Sequence, residues 1–327
     1  MSDRQLNSRS VHSIDKLRIE SNDANTSLPS SADRGRKAAQ KFLEKLYSQK
    51  NTEKDHGAAS RSKLKPRGHT SSEIIGKSFH YRIGKVFGAL LEGNSRNVIR
   101  TLPSDCFNVA VTSPPYYWAR DYGYEKQLGH EDTVDAFVNS LADVFDEVKR
   151  VLHPEGVFFL NIGDTYYSGN GQPHGHDPRC SSRSFMRKKL RPVDCSGWDI
   201  PKKSMIGVPW KVAFEMQRRG WTLRSDIIWN RGNAFSEPTA RDRPHRQYEH
   251  IFMFTKSRFY SFDRQVLPEE DVWNIPIERS VRIEHNAPFP SELVKRCIEC
   301  ASPAGGKVLD PFVGSGTVLD VARTLGL

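Results

Sequence analysis

The chain has 327 residues, with 49 Lys and Arg against 39 Asp and Glu, and carries a formal net charge of +10 at pH 7. This basic excess predicts an acidic partner, and nucleic acid fits it better than a membrane surface does. No run of about 18 apolar residues and no signal-peptide core occur, which argues against a membrane protein and predicts a cytoplasmic one. The five cysteines are scattered, so reduced thiols are expected rather than a disulfide framework.

Residues 1–77 form a segment that is rich in Ser, Asn, Asp, Lys and Arg and poor in apolar residues. Such a composition buries too little apolar surface to fold, so the segment is predicted to be basic and largely disordered. Within it, one short helical pattern places four apolar residues on a single face: Ala39, Phe42, Leu43 and Leu46. The remainder is expected to act as a solvated arm that attracts phosphates without sequence preference.

Residues 78–327 alternate strand-like and helix-like segments, which is the pattern of an α/β sheet with helices on both faces. Six strand-like segments lie at residues 88–94, 107–111, 157–161, 225–229, 249–254 and 307–310. Helices are predicted after residue 94, over 133–152, from 209 and over 290–301. The sequence H-P-E-G at 153–156 is predicted to form a turn between the long helix and the next strand.

Two stretches stand out at the ends of predicted strands. The first is T-S-P-P-Y at 112–116, where two prolines without backbone N–H groups stop a strand and stiffen the turn that follows. The second is D-P-F-V-G-S-G-T at 310–317, which leads into a helix. Its glycines let the backbone approach a ligand, and the helix start offers free N–H groups. A glycine turn alone also fits a plain strand-to-helix connection.

Taken together in this order, the two stretches resemble the motifs of the beta class of DNA amino-methyltransferases from bacterial restriction–modification systems. The resemblance extends over roughly residues 85–327, with further matching stretches at 91–94, 161–166, 227–231 and 285–290. It implies a Rossmann-like methyltransferase sheet in permuted motif order, with the catalytic S-P-P-Y before the cofactor motif. It also implies S-adenosylmethionine as methyl donor and an exocyclic amine as acceptor, either N4 of cytosine or N6 of adenine.

The resemblance assigns catalysis to the first motif, in Ser113, Pro114, Pro115 and Tyr116. An aromatic amine is a poor nucleophile because its lone pair is delocalised into the ring. The Ser113 hydroxyl and a carbonyl near Pro114 can accept hydrogen bonds from the N–H groups of the amine and direct its lone pair toward the methyl group. Tyr116 is expected to stack on a base flipped out of duplex DNA. Within the family, Ser before P-P-Y goes mostly with N4-cytosine enzymes and Asp or Asn with N6-adenine enzymes, so cytosine N4 is the predicted target.

For the methyl donor, the resemblance implies a pocket with two sides. One side is expected to consist of Asp310, Phe312, Gly314, Ser315, Gly316 and Thr317. The other side is expected to contain His285, Pro288, Phe289 and Pro290. Asp164 matches a family aspartate near the flipped base or the donor, and a structural loop-capping role is the alternative. Tyr117 and Trp118 are open between local packing and a substrate-facing role.

Target recognition is predicted for an irregular basic insertion at residues 167–204. Its candidate DNA contacts are Arg179, Arg183, Arg187, Lys188, Lys189 and Arg191. Such side chains suit phosphates and the guanine edge, and most of them are expected to contact phosphates. The chain departs from the family pattern at Asn94, where an aspartate is usual, and at Arg231, where a lysine is usual.

The family's sheet has seven strands, and this chain offers candidates for six, with the 88–94 segment among them. The strand that is apparently missing should follow the last helix and carry an acidic residue that binds the donor's ribose. The chain stops at Leu327, so the sequence is expected to be incomplete at its C-terminal end. Supply of the strand by another chain, or a degenerate methylase, are the alternatives.

Cys297 and Cys300 have the spacing of a zinc or redox pair. They lie within a helical pattern formed by Leu293, Cys297 and Ala301, and no second pair stands at metal-site spacing. A buried helix is therefore predicted here, and no metal.

The leading functional hypothesis is a site-specific DNA cytosine-N4 methyltransferase that uses S-adenosylmethionine. Its partners would be duplex DNA with one flipped base and a cognate restriction endonuclease acting on the same site. An adenine-N6 methyltransferase is the enzymatic alternative, and a DNA-binding relative without catalysis is the alternative from another class. A nicotinamide enzyme fits less well, because the glycine motif comes last and T-S-P-P-Y would have no role.

Overall fold

The computed structural model describes residues 78–83, 86–120, 122, 127–167, 201, 203–232, 242–267, 270–277 and 289–327. The predicted N-terminal arm at 1–77 and the core of the predicted recognition insertion, residues 168–200, lie outside these ranges. The proposed division of the chain into arm, catalytic domain and insertion stays a prediction.

The described residues contain strands and helices in alternation, as the sequence predicts. The strands are β1 (Ser78–Ile83), β2 (Val86–Leu91), β3 (Phe107–Thr112), β4 (Leu152–Ile162), β5 (Thr222–Asn230), β6 (Tyr248–Thr255), β7 (Val272–Asn274) and β8 (Val308–Leu309). The helices are α1 (Ser95–Arg100), α2 (Val134–Val151), α3 (Val208–Arg218), α4 (Ser291–Ala301) and α5 (Thr317–Thr324).

In the described part of the chain, the main sheet has six strands in the order β7-β5-β6-β4-β3-β8. The pairs β3–β4, β3–β8 and β5–β7 are parallel, whereas β6 is antiparallel to both β4 and β5. Consequently β6 runs in the opposite direction to its five companions. The α/β class predicted from the sequence is confirmed.

The sheet is the middle of three layers, since its central strands are buried on both faces. Ala110 and Phe158 belong to one apolar layer, which includes Phe137 and other residues of α2 and α3. Val109 and Phe159 belong to the opposite layer, together with residues of α4 and α5. Successive strand residues thus alternate between the layers, and all four of these strand residues are 0% exposed.

Helix α2 follows the predicted range closely because both of its ends are specified locally. Thr133 Oγ1 accepts a hydrogen bond from the Ala136 N–H at 2.9 Å, which caps the first turn. The helix ends where Leu152 takes up an extended conformation. Apolar residues at helical spacing then bury one whole face against the sheet.

The predicted turn at 153–156 is wrong, because β4 already begins at Leu152. Its pairing with β3 shifts register, with Phe107 opposite Leu152 but Val109 opposite Val157. A bulge of this kind absorbs extra residues without ending the strand.

The predicted sheet position of the 88–94 strand is also wrong. This strand, β2, pairs with β1 in a separate antiparallel hairpin, from Ser78 opposite Leu91 to Ile83 opposite Val86. A hairpin between neighbouring strands needs only a short connection, so local pairing satisfies the backbone groups of β2 that face β1. The short strand β7, which was not predicted, takes part in the main sheet instead.

Cys297 and Cys300 lie on the buried face of α4, with 0% and 1% exposure. Burial raises the pKa of the Cys297 thiol well above its usual value and that of Cys300 to about 12. Both therefore act as small apolar side chains, as the buried-helix interpretation predicts. Among the described residues, no group of three or more His, Cys, Asp or Glu is arranged to hold a metal ion.

Within the described part of the chain, none of the helices combines the length and the apolar character needed to cross a membrane.

Candidate active site

The carboxyl ends of the parallel strands lie along one edge of the main sheet, its carboxyl edge. Strands β3, β4, β5 and β8 end there, and β6 begins there because it runs the opposite way. In open α/β sheets, ligands bind outside the carboxyl ends of the parallel strands. Chemistry is therefore expected from the residues at this edge: Ser113, Gly163, Arg231, Glu249 and Asp310.

The two sequence motifs meet through a direct hydrogen bond. Thr112 Oγ1, at the end of β3, donates to Asp310 Oδ1 at 2.6 Å across 198 positions of sequence. The Phe312 N–H donates to the same carboxylate oxygen at 2.9 Å. Burial raises the pKa of Asp310 to about 6, and the two hydrogen bonds act against this rise. The structure thus brings the predicted catalytic and cofactor stretches side by side.

The stretch after Asp310 forms a tight loop that opens into α5. Gly314 and Gly316 have φ values of 53° and 86°, in the left-handed region that glycine adopts without strain. Gly316 is the residue immediately before the first turn of α5, which begins at Thr317. Ser315 Oγ and Thr317 Oγ1 lie 3.2 Å apart, so hydroxyl groups and helix N–H groups gather at one point.

Neighbouring segments support this loop. Ser95 Oγ, in the first turn of α1, donates to the Pro311 carbonyl at 2.8 Å. The ring of Phe312 packs against the apolar layer that contains α2, and Phe289 packs against the layer that contains α4. His285 and Pro288, the other predicted members of the donor pocket, lie outside the described residues.

Tyr116 lies at the centre of a polar network at this edge. Its hydroxyl donates to Glu249 Oε2 at 2.6 Å and accepts from Ser113 Oγ at 3.3 Å. Burial, followed by the negative charge of Glu249, raises the pKa of Tyr116 well above its usual value. The phenol therefore stays protonated and acts as a hydrogen-bond donor to the carboxylate.

Glu249 is itself held on both carboxylate oxygens. Arg231 NH1 donates to Oε1 at 3.0 Å, and Asn161 Nδ2 donates to Oε2 at 3.1 Å. The side chains of Arg231 and Glu249 are only 9% and 12% exposed. In such a shielded pair, removal of one partner typically costs ~3–5 kcal/mol, because it leaves a buried charge uncompensated.

Gly163, directly after β4, lies against the ring of Tyr116. A Cβ atom at this position would stand 2.9 Å from Tyr116 Cε2 and 3.4 Å from the Glu249 carboxylate. Carbon atoms in contact need about 3.5–4.0 Å, so a side chain here would displace the ring. Glycine is thus required by the close approach of the tyrosine.

Asp164 has a structural role in this fold. Its carboxylate accepts hydrogen bonds from the N–H groups of Thr165, Gly207 and Val208 at 2.8 to 3.1 Å. Gly207 and Val208 form the start of α3, where N–H groups have no partner inside the helix. The loop-capping alternative describes the contacts of Asp164, and the expected place beside a base or donor is not needed to explain them.

Tyr117 and Trp118 are packing residues, with 3% and 8% exposure. The ring of Trp118 stacks on His130 at 4.5 Å, and its Nε1 donates to the Glu131 carbonyl at 2.8 Å. Tyr117 contacts Phe137 of α2, with ring centroids 5.3 Å apart. The two rings therefore anchor the turn of residues 113–119, the proline turn, to the core.

The two departures from the family pattern have clear local partners. Asn94 caps α1, with its side-chain oxygen accepting from the Asn97 N–H at 3.2 Å. The guanidinium of Arg231 donates hydrogen bonds to the Glu249 carboxylate and to the backbone carbonyl of Arg246, at 3.0 Å each. The six residues predicted to contact DNA lie outside the described residues: Arg179, Arg183, Arg187, Lys188, Lys189 and Arg191.

Sequence reasoning did not select Asn161 and Glu249 as site residues. Asn161 is a polar residue within the apolar run V-F-F-L-N-I of β4, and Glu249 lies just before the apolar run of β6 in Y-E-H-I-F-M-F. A buried polar side chain requires a hydrogen-bond partner, so this pattern was the available signal.

Comparison with known proteins identifies the family. The model of a DNA methylase family for N6 and N4 enzymes matches residues 107–327. The chain belongs to this DNA methylase family. The methylase is 42% identical over 239 residues to the type II methyltransferase M.Cfr9I of Citrobacter freundii, covering 70% of this chain and 77% of that relative. It is 39% identical over 248 residues to M.SmaI of Serratia marcescens, covering 72% and 82%.

A solved structure gives the same fold. The PvuII DNA methyltransferase, which is named as cytosine-N4-specific, matches this methylase with a TM-score of 0.54 at 19% identity, covering 71% of this chain and 76% of that one. The predicted family of restriction–modification DNA methyltransferases and the predicted methyltransferase fold are confirmed.

Proposed function

We propose that this methylase transfers a methyl group from S-adenosylmethionine to N4 of cytosine in duplex DNA, and thereby protects a site from a cognate restriction endonuclease. The observation that carries the proposal is the pairing of Thr112 with Asp310. It joins the end of β3, which leads directly into Ser113 and the two prolines, to the residue that begins the glycine loop stretch at 310–317. Ser113 before the two prolines favours cytosine N4 over adenine N6, as the family resemblance implies.

The residues around Asp310 fit a donor that ends in an amino acid group. A carboxylate, two hydroxyl groups and the N–H groups of a helix start can bind an ammonium and a carboxylate group. Asp310, Phe312, Gly314, Ser315, Gly316 and Thr317 would hold this end, with His285, Pro288 and Phe289 opposite. When bound, S-adenosylmethionine supplies an electrophilic methyl sulfonium group.

The proline turn orients the target amine and supplies its hydrogen-bond acceptors. The Ser113 hydroxyl and the carbonyl of Pro114 would accept hydrogen bonds from the two N–H groups of the amine. These hydrogen bonds would free the nitrogen lone pair for attack. The prolines keep these acceptors from swinging away. Tyr116 would stack on the target base after the base leaves the duplex. Leaving the duplex costs the base its stacking and pairing with neighbouring bases.

The decisive experiment identifies the methylated nucleoside. Purified protein is incubated with unmodified duplex DNA and S-adenosylmethionine carrying a labelled methyl group, and the DNA is then hydrolysed to nucleosides. Labelled N4-methylcytosine is the expected product. N6-methyladenine would overturn the cytosine assignment, and the absence of product would favour a DNA-binding relative without catalysis.

A matched pair of variants tests the role of the proline turn in the same assay. Ser113→Ala removes the proposed acceptor, and methylation is expected to fall by about a hundredfold. Ser104→Ala removes an exposed hydroxyl from the loop that precedes β3 and should retain wild-type turnover. Equal turnover of the two variants would contradict the role given to Ser113.

A further inference from the structure

The side chain of Glu249 contacts the stacking residue of the proposed active site from outside the catalytic motif. Glu249 is the second residue of β6, and its carboxylate accepts a hydrogen bond from the Tyr116 hydroxyl at 2.6 Å. This is the shortest hydrogen bond that the structure gives the Tyr116 hydroxyl, since Ser113 and Asn161 lie at 3.3 and 3.4 Å. A short O–H···O⁻ contact of this kind is a strong, directional hydrogen bond.

The backbone conformation of the proline turn does not depend on Glu249. The Trp118 N–H donates to the Gly129 carbonyl at 2.6 Å, and the Ala119 N–H donates to the Tyr116 carbonyl at 3.1 Å. Two prolines and the buried rings that follow Tyr116 fix the remainder of this turn. What the backbone leaves undetermined is the direction of the Tyr116 side chain.

Two contacts that come from outside β3 help to fix that direction. The tip of the ring is held by Glu249, and its Cε2 edge lies against Gly163, where even a Cβ atom would come within 2.9 Å. Glu249 cannot move with the ring, because Arg231 and Asn161 bind its carboxylate at 3.0 and 3.1 Å. The anchor is therefore built on the ends of β4, β5 and β6, independently of β3.

We infer that Glu249 is a positioning residue that fixes the ring plane of Tyr116 before the target base arrives. This inference rests on the proposed function, in which the ring stacks on a flipped base. A ring held in its working orientation loses less conformational freedom when the base binds, which is the advantage of preorganisation. The carboxylate acts through the tyrosine hydroxyl and does not contact the base or the donor.

A double-mutant cycle tests this inference through kcat/KM for DNA methylation. Tyr116→Phe keeps the ring and removes only the hydroxyl, and Glu249→Gln keeps the size of the side chain and removes its charge. Each single change is expected to lower kcat/KM by about tenfold, and Glu249→Gln added to the Tyr116→Phe variant should lower it by less than about threefold. Equal losses in both backgrounds would show that Glu249 acts independently of Tyr116 and would overturn the inference.

A control variant separates positioning from stability. Glu147 also pairs with arginines, Arg100 at 3.1 Å and Arg150 at 2.8 Å, and lies on α2 away from the site. Glu147→Gln should lower the melting temperature without changing kcat/KM, whereas a loss equal to that of Glu249→Gln would indicate a general structural effect. If Glu249→Gln does not fold, Tyr116→Phe alone decides, since wild-type kcat/KM in that variant would overturn the inference.

A second measurement does not depend on turnover. Protein containing 3-fluorotyrosine gives a ¹⁹F resonance from position 116 that is identified by its loss in Tyr116→Phe. Glu249→Gln is expected to shift this resonance and to increase exchange between ring orientations, and Glu147→Gln is expected to leave it unchanged. An unchanged resonance in Glu249→Gln would overturn the inference. Absence of methylation by the wild type would instead refute the proposed function, and the ¹⁹F result would still decide the role of Glu249.

Discussion

Replacement of Asp310 by Asn should stabilise the protein while weakening its proposed binding of the methyl donor. The pKa of Asp310 is raised from 3.8 to about 6, mainly because burial penalises the charged form. The pKa difference between the folded and the unfolded chain, 6 − 3.8 or about 2, corresponds to about 3 kcal/mol of unfolding free energy at most. Asn cannot ionise, but its side-chain oxygen can still accept from Thr112 and from the Phe312 N–H.

The sign follows from proton binding. Because the folded pKa is the higher one, folding favours the protonated carboxyl, and this contribution to stability is fully present below the unfolded pKa. It is lost as the pH rises from about 4 to about 6, where the folded carboxyl ionises. The free energy of unfolding of Asp310→Asn, relative to the wild type, should therefore increase over this window and then level off.

Urea unfolding followed by tryptophan fluorescence at several pH values from 4 to 8 measures this difference. Asp271→Asn, which removes an exposed carboxylate, serves as the control for the loss of one surface charge. A difference for Asp310→Asn that does not change with pH, or that falls as the pH rises, would refute the reasoning. Calorimetric titration with S-adenosylmethionine should show weaker binding by the variant, since a carboxylate is lost from the proposed pocket.

Three further predictions concern the site and its surroundings. Gly163→Ala should displace the Tyr116 ring and lower methylation by about tenfold, and unchanged methylation would contradict the close approach. Asp164→Ala removes the cap of α3 and should lower the free energy of unfolding by about 1–2 kcal/mol in urea, while an unaltered midpoint would contradict the capping role. Replacement of Lys188 and Lys189 by Gln should reduce the slope of log K for DNA binding against log salt by up to about 2, and an unchanged slope would argue against phosphate contacts there.

The sequence alone determined where the helices of this methylase lie and where its two motifs stand. The range of α2 follows from its apolar spacing and from Thr133 as a cap, which act within a few residues of one another. The glycines of the loop at 314–316 follow from backbone angles that other residues adopt only with strain. Such features depend on neighbours along the chain, so the pattern of residues is sufficient to predict them.

The tertiary structure alone decided which distant residues meet. The reversed direction of β6 brings Glu249 to the edge where β3 ends, and no periodicity in the sequence indicates that direction. The choice of β1 as partner for β2, and of α3 as the helix capped by Asp164, likewise depends on the competition for backbone hydrogen bonds in the folded chain. Thr112 and Asp310 are brought into contact by the pairing of β3 with β8, whose energy depends on burial between two helical layers and not on either motif alone.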